Sequence, residues 1–150
     1  MPTRDDWIWV AGFFDGEGSI LLSSNGNNLQ IVLAQKERPI MQEVHQLFGG
    51  YFFQDKTGLW RIYWVKHTSQ AFLEGILPFL KVKDIEVKFA LDWLKVDRSF
   101  PRIGKRITAS HRQWRQEMAQ RLQEYRHGES PVLSVSTPSE GLRILLFPLK

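Results

Sequence analysis

The chain of 150 residues contains no cysteine. Disulfide bonds and thiolate metal sites are therefore excluded, and a reducing compartment fits this composition without being proved by it. No apolar run approaches the roughly 20 residues that span a membrane, so we expect no membrane association. The N-terminus carries Asp5 and Asp6 and lacks the basic-then-apolar pattern of a signal peptide, which predicts a protein that is not secreted.

Metal-ligand spacing is also absent among the four histidines, so the sequence predicts no zinc site. Hydrophobic residues make up 43% of the chain, with 10 Phe and 6 Trp, which indicates a globular fold rather than disorder. The formal net charge is +4 at pH 7. This charge is a mild bias toward polyanionic partners, and many soluble proteins share it.

The most informative segment, Trp9–Ser19, predicts an apolar helix that ends in two acids and runs into a strand. Asp15 and Glu17 fall at the C-terminal end, where the helix macrodipole is already negative. A cation is therefore expected to compensate for them, and a divalent metal would do so. Gly12 and Gly16 are four residues apart and share one helix face, where another backbone can come close.

Two simpler structures compete with a metal site at this helix end. An ordinary amphipathic helix with a glycine-rich C-cap explains Gly18 but not the two acids beside it. A calcium-binding loop needs a glycine at the position of Ile20 and an acid at that of Gly26, and the sequence has neither. The segment therefore favours a close-packed helix that delivers carboxylates, and the Gly16 carbonyl, to a metal.

The rest of the chain alternates between helical and strand-like segments. A capping box at Thr3 and Asp6 predicts that the first helix starts near Arg4. An Asn-Gly pair at 25–26 is a strong hairpin signal, and Pro78 is expected to end or bend a helix. The predicted strands are 19–24, 29–36, 51–55 and 59–67, and the further predicted helices are 39–48, 69–77, 84–94 and 110–126.

Val10–Gly18 resembles, position by position, the signature motif of the LAGLIDADG homing endonucleases, with Glu17 at the penultimate acidic place. The resemblance implies the LAGLIDADG α+β fold, with an αββαββα core, a four-stranded antiparallel DNA-binding sheet and C-terminal helices. We expect one endonuclease domain over 1–128, with its core at about 4–95 and its helices reaching about 127, and a C-terminal extension over 129–150. Because the chain has no second motif, it is expected to act as a homodimer.

The same resemblance implies a site-specific endonuclease that hydrolyses phosphodiesters on both strands of a long, pseudo-palindromic double-stranded DNA target and promotes intron homing. Mg²⁺ is the expected cofactor, with Mn²⁺ able to substitute and Ca²⁺ expected to support binding without cleavage. Such a protein is expected in a bacterial or archaeal cytoplasm, or in an organelle whose genome encodes it. Two alternatives stay open, namely an intron maturase that binds intron RNA on the same fold, and a non-catalytic DNA-binding regulator.

For the reaction itself, the resemblance implies that Glu17 is the metal-binding acid and the Gly16 carbonyl a second ligand. It also implies that Lys83 and Gln35 are catalytic, Lys83 by neutralising charge that develops on the phosphate. Asp15 is expected to play a structural or interface role rather than to bind metal directly. The expected dimer-interface residues of the first helix are Val10, Ala11, Gly12, Phe14, Asp15 and Gly16.

Alternation along the strands predicts which side chains face the DNA major groove. Trp60, Ile62 and Trp64 are expected in the core, which leaves Arg61 and Tyr63 on the DNA face. The full set of predicted DNA-binding residues is Ser23, Asn25, Asn28, Gln30, Val32, Arg38, Arg61, Tyr63 and Lys81.

Two regions leave the interpretation open. In the third strand, 51–55, the polar side chains look exposed by their chemistry, yet alternation would then bury the aromatic ones. The helix 110–126 and the segment 98–106 before it are rich in cations. Phosphate contacts and a solvated helix with i,i+4 ion pairs explain these cations equally well.

Overall fold

The computed structural model describes residues 1–137, so the predicted extension 129–150 lies largely outside the described residues. The elements are α1 (Arg4–Glu17), β1 (Gly18–Leu22), β2 (Leu29–Gln35), α2 (Arg38–Phe48), β3 (Tyr51–Gln54), β4 (Trp60–Val65), α3 (His67–Ile76), α4 (Asp84–Ser99), β5 (Arg102–Ile103), β6 (Arg106–Ile107) and α5 (Ala109–Arg126). A single 3₁₀ turn, Leu77–Phe79, follows α3 at Pro78. The predicted αββαββα order is confirmed.

The first helix starts where its capping box predicts. The Thr3 hydroxyl accepts the backbone N–H of Asp6 at 3.2 Å, and the Thr3 N–H donates to the Asp6 carboxylate at 2.8 Å. These two bonds satisfy groups that the first helical turn leaves without intrahelical partners.

Strands β1 to β4 form one antiparallel sheet in the order β1-β2-β4-β3, so β2 and β4 are central. One face of this sheet packs on helices and forms the core. Ile31 lies opposite Trp64, whose indole stacks on Phe72 of α3 at a centroid distance of 3.9 Å. Ile62 and Trp64 are buried, which confirms that the apolar alternation of β4 marks the core face.

Several element boundaries and one strand pair differ from the prediction. Helix α3 begins at His67, two residues early, because the Thr68 and Ser69 hydroxyls bond back to carbonyls of the preceding turn. Helix α4 extends to Ser99, beyond the predicted end at 94. The short β5–β6 pair was not predicted, since two-residue strands carry no periodic apolar signal.

Contacts within the chain divide it into two compact units. The first contains Met1–Leu21 and Leu29–Lys88, and the second contains the hairpin tip, Leu22–Asn28, with residues 89–137. Within residues 1–137, no helix is both long and apolar enough to cross a membrane.

Candidate functional site

The carboxylate of Glu17 stands without a partner at the end of α1. Glu17 is exposed, and within residues 1–137 no hydrogen bond or ion pair reaches its side chain. The last turn of α1 contains no basic residue. An unpaired negative charge at this end of a helix is unfavourable, so its position favours a bound cation.

Asp15, two residues earlier, is fully engaged within the chain. Its carboxylate accepts the backbone N–H groups of Lys81, Val82 and Lys83 at 2.7, 3.1 and 3.0 Å. Partial burial would raise the pKa of Asp15, but these three bonds and the nearby Lys83 charge outweigh it and hold the pKa below its usual value. Asp15 therefore joins α1 to the segment that precedes α4.

The ammonium of Lys83 makes the reciprocal contact, from the segment before α4 to the end of α1. Its Nζ donates to the carbonyls of Phe14, Asp15 and Gly18 at 3.2, 3.0 and 2.6 Å. An ammonium has three protons, and all three are used. The cation that the acidic helix end requires is thus supplied, at least in part, by a lysine rather than by a metal alone.

The oxygen atoms at this site fit a hard divalent cation. Carboxylate and carbonyl oxygens, as on Glu17 and Gly16, are the ligands that Mg²⁺ prefers. The part of the chain that the structure describes contains no group of three or more His, Asp or Glu side chains able to hold an ion. One chain therefore offers part of a coordination sphere, which leaves room for water, phosphate or a second chain.

Gln35 is the predicted catalytic residue that the structure does not connect to this site. Its Oε1 accepts the backbone N–H of Lys36 at 2.7 Å, and its partner across the sheet is Trp60. The hydrogen bonds therefore bring together Asp15, Lys83 and the helix end that carries Glu17, and leave Gln35 with its own neighbour.

Half of the predicted dimer-interface set is wrong. Val10, Ala11 and Phe14 have no exposed surface within a single chain, because they are the residues with which α1 packs on its own core. A side chain that is already buried cannot form a surface between two chains. Gly12 and Gly16 are exposed instead, and a Cβ built on either would meet nothing within 4 Å.

Among the predicted DNA-binding residues, Val32 is also wrong. It is 3% exposed, because it lies on a central strand and its cross-strand neighbour is the larger Tyr63. Gln30 and Tyr63 lie half-buried on this outer face of the sheet, and Arg38 and Lys81 are exposed elsewhere.

Arg61 and Arg38 each have a partner within the chain. The Arg61 Nε donates to the Asp55 carboxylate at 2.6 Å. The Thr57 hydroxyl also donates to this carboxylate and, together with Arg61, holds the pKa of Asp55 well below its usual range. The Arg38 guanidinium lies 4.9 Å from the ring centroid of Trp60, a cation–π contact.

The third strand, which the sequence left ambiguous, has its aromatic residues on the outer face. Tyr51 lies opposite Tyr63 and Phe53 opposite Arg61, and residues directly opposite share a face. Sequence reasoning missed both as DNA-facing candidates. The turn after β3, where the Asp55 N–H donates to the Leu59 carbonyl at 2.9 Å, sets the register, and the aromatic strand carries no alternation that predicts it.

The predicted residues of the hairpin tip, Ser23, Asn25 and Asn28, belong to the second compact unit. The Ser23 hydroxyl donates to the Asn25 side-chain oxygen at 2.7 Å and accepts the Asn28 N–H at 3.1 Å. Gly26 has a φ of +74° and packs so closely on α5 that an added Cβ would lie 2.0 Å from the Arg115 carbonyl oxygen. The tip is therefore a hydrogen-bonded turn packed against α5.

A buried charge cluster in the same unit was not predicted. The Arg115 guanidinium donates to both Asp97 oxygens, at 2.8 and 3.1 Å, and His111 Nε2 lies 2.6 Å from one of them. Burial raises the pKa of Asp97, but the bonds and charges of Arg115 and His111 outweigh it and lower the pKa overall. Arg115 is thus a structural cation, although the sequence shows it only as one of several on a basic helix.

The chain is similar to known proteins both in sequence and in fold. The family model described as LAGLIDADG endonuclease matches residues 10–98. The fold resembles I-CvuI in complex with its target in the presence of 2 mM Ca, at a TM-score of 0.58 and 17% identity, covering 97% of this chain and 95% of that one. It also resembles the archaeal intron-encoded homing endonuclease I-Vdi141I complexed with DNA, at a TM-score of 0.57 and 13% identity over 93% and 94% of the two chains.

A third similar structure, of I-CvuI with the I-CreI target in the presence of 2 mM Mg, has a TM-score of 0.53 and 21% identity, covering 62% of this chain and 68% of that one. No curated protein matches the chain. The αββαββα order, with the acids at the end of α1, is the fold of the LAGLIDADG proteins. Because the family model covers more than half of the sequence, the chain belongs to the LAGLIDADG endonuclease family and is a site-specific DNA endonuclease.

Proposed function

We propose that two copies of the chain cut both strands of a long, pseudo-palindromic duplex by divalent-metal-dependent hydrolysis, with Glu17 of each copy at the reacting phosphates. The carboxylate of Glu17 at the end of α1, which has no partner among residues 1–137, is the observation that carries this proposal. The DNA bound in the structures of I-CvuI and I-Vdi141I supports duplex DNA as the partner.

Glu17 and the Gly16 carbonyl are the groups that would hold the cation. A bound divalent ion supplies an activated water and stabilises the leaving oxygen in phosphodiester hydrolysis. The I-CvuI structures in the presence of Mg, where the DNA is not cleaved, and of Ca support divalent ions as cofactors. We assign Mg²⁺ as the working ion, with Mn²⁺ as a substitute and Ca²⁺ supporting binding without cleavage.

The chain's own residues orient the acid. Lys83 binds three carbonyls around the end of α1, and Asp15 of that helix binds the backbone on either side of Val82. These reciprocal bonds restrict the last turn of α1 and so restrict the position of Glu17. The Lys83 charge at the same site also favours the approach of phosphate oxygens. Gln35 stays a predicted solvent-organising residue.

Dimerisation rests on the exposed face of α1. Ile8, Gly12 and Gly16 follow one another at four-residue spacing on this face, and Ile8 is 39% exposed. Small residues at this spacing let two helices approach closely. Two chains related by a twofold axis along this face would bring two Glu17 residues to one place, which supplies the second acid that one chain lacks.

Gly12→Leu tests the dimer. The added side chain enters open space in one chain, so the fold is expected to persist while helix pairing is blocked. We expect sedimentation equilibrium to change from dimer to monomer and double-strand cutting to be lost. Ala71→Leu, at an exposed position of α3, is the matched control and should leave both unchanged. A Gly12→Leu protein that stays dimeric would place the interface elsewhere.

The activity is tested with a randomised, partly palindromic duplex library in Mg²⁺, scored for double-strand cuts. We expect discrete cleaved sites for the natural chain and none for Glu17→Gln, while both proteins bind the same sites in Ca²⁺. Glu43→Gln, an exposed acid on α2, controls for loss of one negative charge. Tight specific binding without cutting by any of these proteins would favour a regulator. Weak, non-specific binding would favour the maturase alternative, which the host intron RNA would then test.

A further inference from the structure

The outer face of the sheet in the first compact unit is unusually apolar for a surface assigned to DNA. It presents Tyr51 at 70% exposure, Val65 at 44% and Leu21 at 42%. Phe53 lies between Tyr51 and Tyr63, with ring centroids 5.7 and 5.2 Å away. We call these five residues the apolar strip, namely Leu21, Tyr51, Phe53, Tyr63 and Val65. They lie on the two edge strands, β1 and β3, and on the central strand β4.

Hydrogen-bonding groups are few on this face. Residues that share the face with the strip include Ala34 and the buried Val32, which offer none. Arg61, opposite Phe53, already donates its Nε to Asp55 at 2.6 Å. Gln30 is the amide side chain that β2 places there. Within the strip, only the Tyr51 and Tyr63 hydroxyls can form hydrogen bonds with a base, so most of its surface can make only apolar contacts.

Cations border the apolar strip at the ends of the strands. Lys36 follows β2, Lys56 lies in the β3–β4 turn and Lys66 follows β4, and all three are exposed. None of them pairs with an acid among the described residues. An apolar centre with a cationic border suits a polyanion that carries apolar groups in its groove. It disfavours binding to the same face of a second copy, because the lysines of the two borders would repel each other.

We propose that the apolar strip selects DNA by contact with the 5-methyl groups of thymine in the major groove. This inference rests on the proposed function and on the expectation, drawn from the family resemblance, that the duplex lies on the sheet. Among the unmodified bases, thymine alone presents an apolar group in the major groove. Tyr51, Tyr63 and Val65 are exposed or half-exposed apolar side chains on neighbouring strands, so they can reach methyl groups on successive base pairs.

Replacing thymine by deoxyuridine tests the proposal, because it removes the methyl group and keeps every hydrogen-bonding group. The probe is the duplex recovered from the library selection, bound in Ca²⁺ with thymine or with deoxyuridine throughout one half-site. We expect the deoxyuridine duplex to bind about fourfold more weakly for each contacted methyl, as expected for burial of one methyl-sized group. Equal affinity for the two duplexes overturns the proposal.

Tyr51→Ser locates the effect on the strip. Tyr51 is largely exposed, so the fold is expected to tolerate the change. The variant should bind the thymine duplex more weakly than the natural chain, and its preference for thymine over deoxyuridine should shrink. Ile103→Ser, which removes a 77% exposed apolar side chain from β5, should keep the full preference. An unchanged preference in Tyr51→Ser would contradict the assignment.

The proposed function and the proposed recognition of thymine methyl groups would fail in different experiments. If no duplex is bound specifically or cut, the proposed function fails and the methyl comparison has no probe. If a duplex is cut specifically but deoxyuridine has no effect, the endonuclease stands and methyl recognition by the strip is wrong.

Discussion

At the end of α1, the Glu17 carboxylate is exposed and has no partner in the described chain, whereas in the second compact unit Asp97 accepts a forked pair of bonds from Arg115 and lies beside His111. Both acids are close to the end of a helix, and their surroundings differ completely. A carboxylate whose oxygens are all satisfied stabilises the fold. An exposed carboxylate with no internal partner, at the helix end where the dipole opposes its charge, lowers stability slightly and is open to a ligand.

The largest expected contrast comes from Glu17→Gln. We expect cleavage to fall on the order of a thousandfold, which is the scale for removing one group that acts directly on the reacting atoms. The free energy of unfolding should stay the same or rise by about 0.5 kcal/mol, because an unfavourable charge leaves the negative end of α1. Cleavage assays and chemical denaturation measure the two quantities. A clear loss of stability would mean that Glu17 has a structural partner after all.

Asp97→Asn should show the reverse pattern. Removing the charge leaves the Arg115 guanidinium largely buried and unpaired, so we expect a loss of about 3 kcal/mol in the free energy of unfolding. The natural and variant proteins should cut DNA at similar rates where both are folded. Asp92→Asn, an exposed acid on the same helix, is the matched control and should change stability by less than about 0.5 kcal/mol.

Asp15→Asn tests the difference between the two acids of the motif, Asp15 and Glu17. An amide oxygen without charge binds the three N–H groups of residues 81–83 more weakly, so we expect a loss of about 1–2 kcal/mol in unfolding free energy. Glu17→Gln, two residues away, is the natural reference, and the two variants together separate a structural acid from a catalytic one. Equal stability in both variants would remove the distinction.

The smallest effect concerns acid stability. Burial lowers the pKa of His111, and together with the charges of Arg115 and Arg102 it outweighs the raising effect of the neighbouring Asp97. The folded chain therefore keeps His111 neutral at pH values where the unfolded chain, with a pKa of about 6.5, binds a proton. The contribution of His111 to the free energy of unfolding is fully present above that pH and declines as the pH falls below it. The lowered pKa of Asp97 causes a further loss of stability, but only at lower pH.

We expect the free energy of unfolding to fall between pH 7 and pH 5 by less than about 1.4 kcal/mol per pH unit, the limit for one proton. His111→Gln should flatten this slope, whatever its effect at pH 7. His127→Gln, an exposed histidine after α5, should preserve the slope. A slope that persists in His111→Gln would assign the pH dependence to another group.

Most of the fold prediction rests on sequence patterns that act over a few residues. The capping box at Thr3 and the glycines around Asp15 and Glu17 each act within a few residues, so their elements appear where the sequence places them. Register is different. Tyr51 and Phe53 lie on the outer face because the turn closed between Asp55 and Leu59 aligns β3 with β4. A strand that is aromatic on both sides carries no alternation that reveals this.

Burial within one chain was the other point that the sequence could not decide. Val10, Ala11 and Phe14 are apolar, and an apolar residue fits a chain's own core as well as an interface. Arg115 looks like any other cation on α5 until Asp97, 18 residues away, folds against it. The pairing of Lys83 with the carbonyls of Phe14, Asp15 and Gly18 joins residues more than 60 positions apart.

By itself, the sequence determined the family, the order of helices and strands, and the placement of two acids at a helix end, because these follow from short-range backbone preferences and a contiguous motif. Only the tertiary structure decided which acid is bound within the chain and which is free, which face of β3 points outward, and which residues of α1 remain available to a partner. Those properties depend on contacts between residues distant in the chain, and such contacts exist only after packing has brought the elements together.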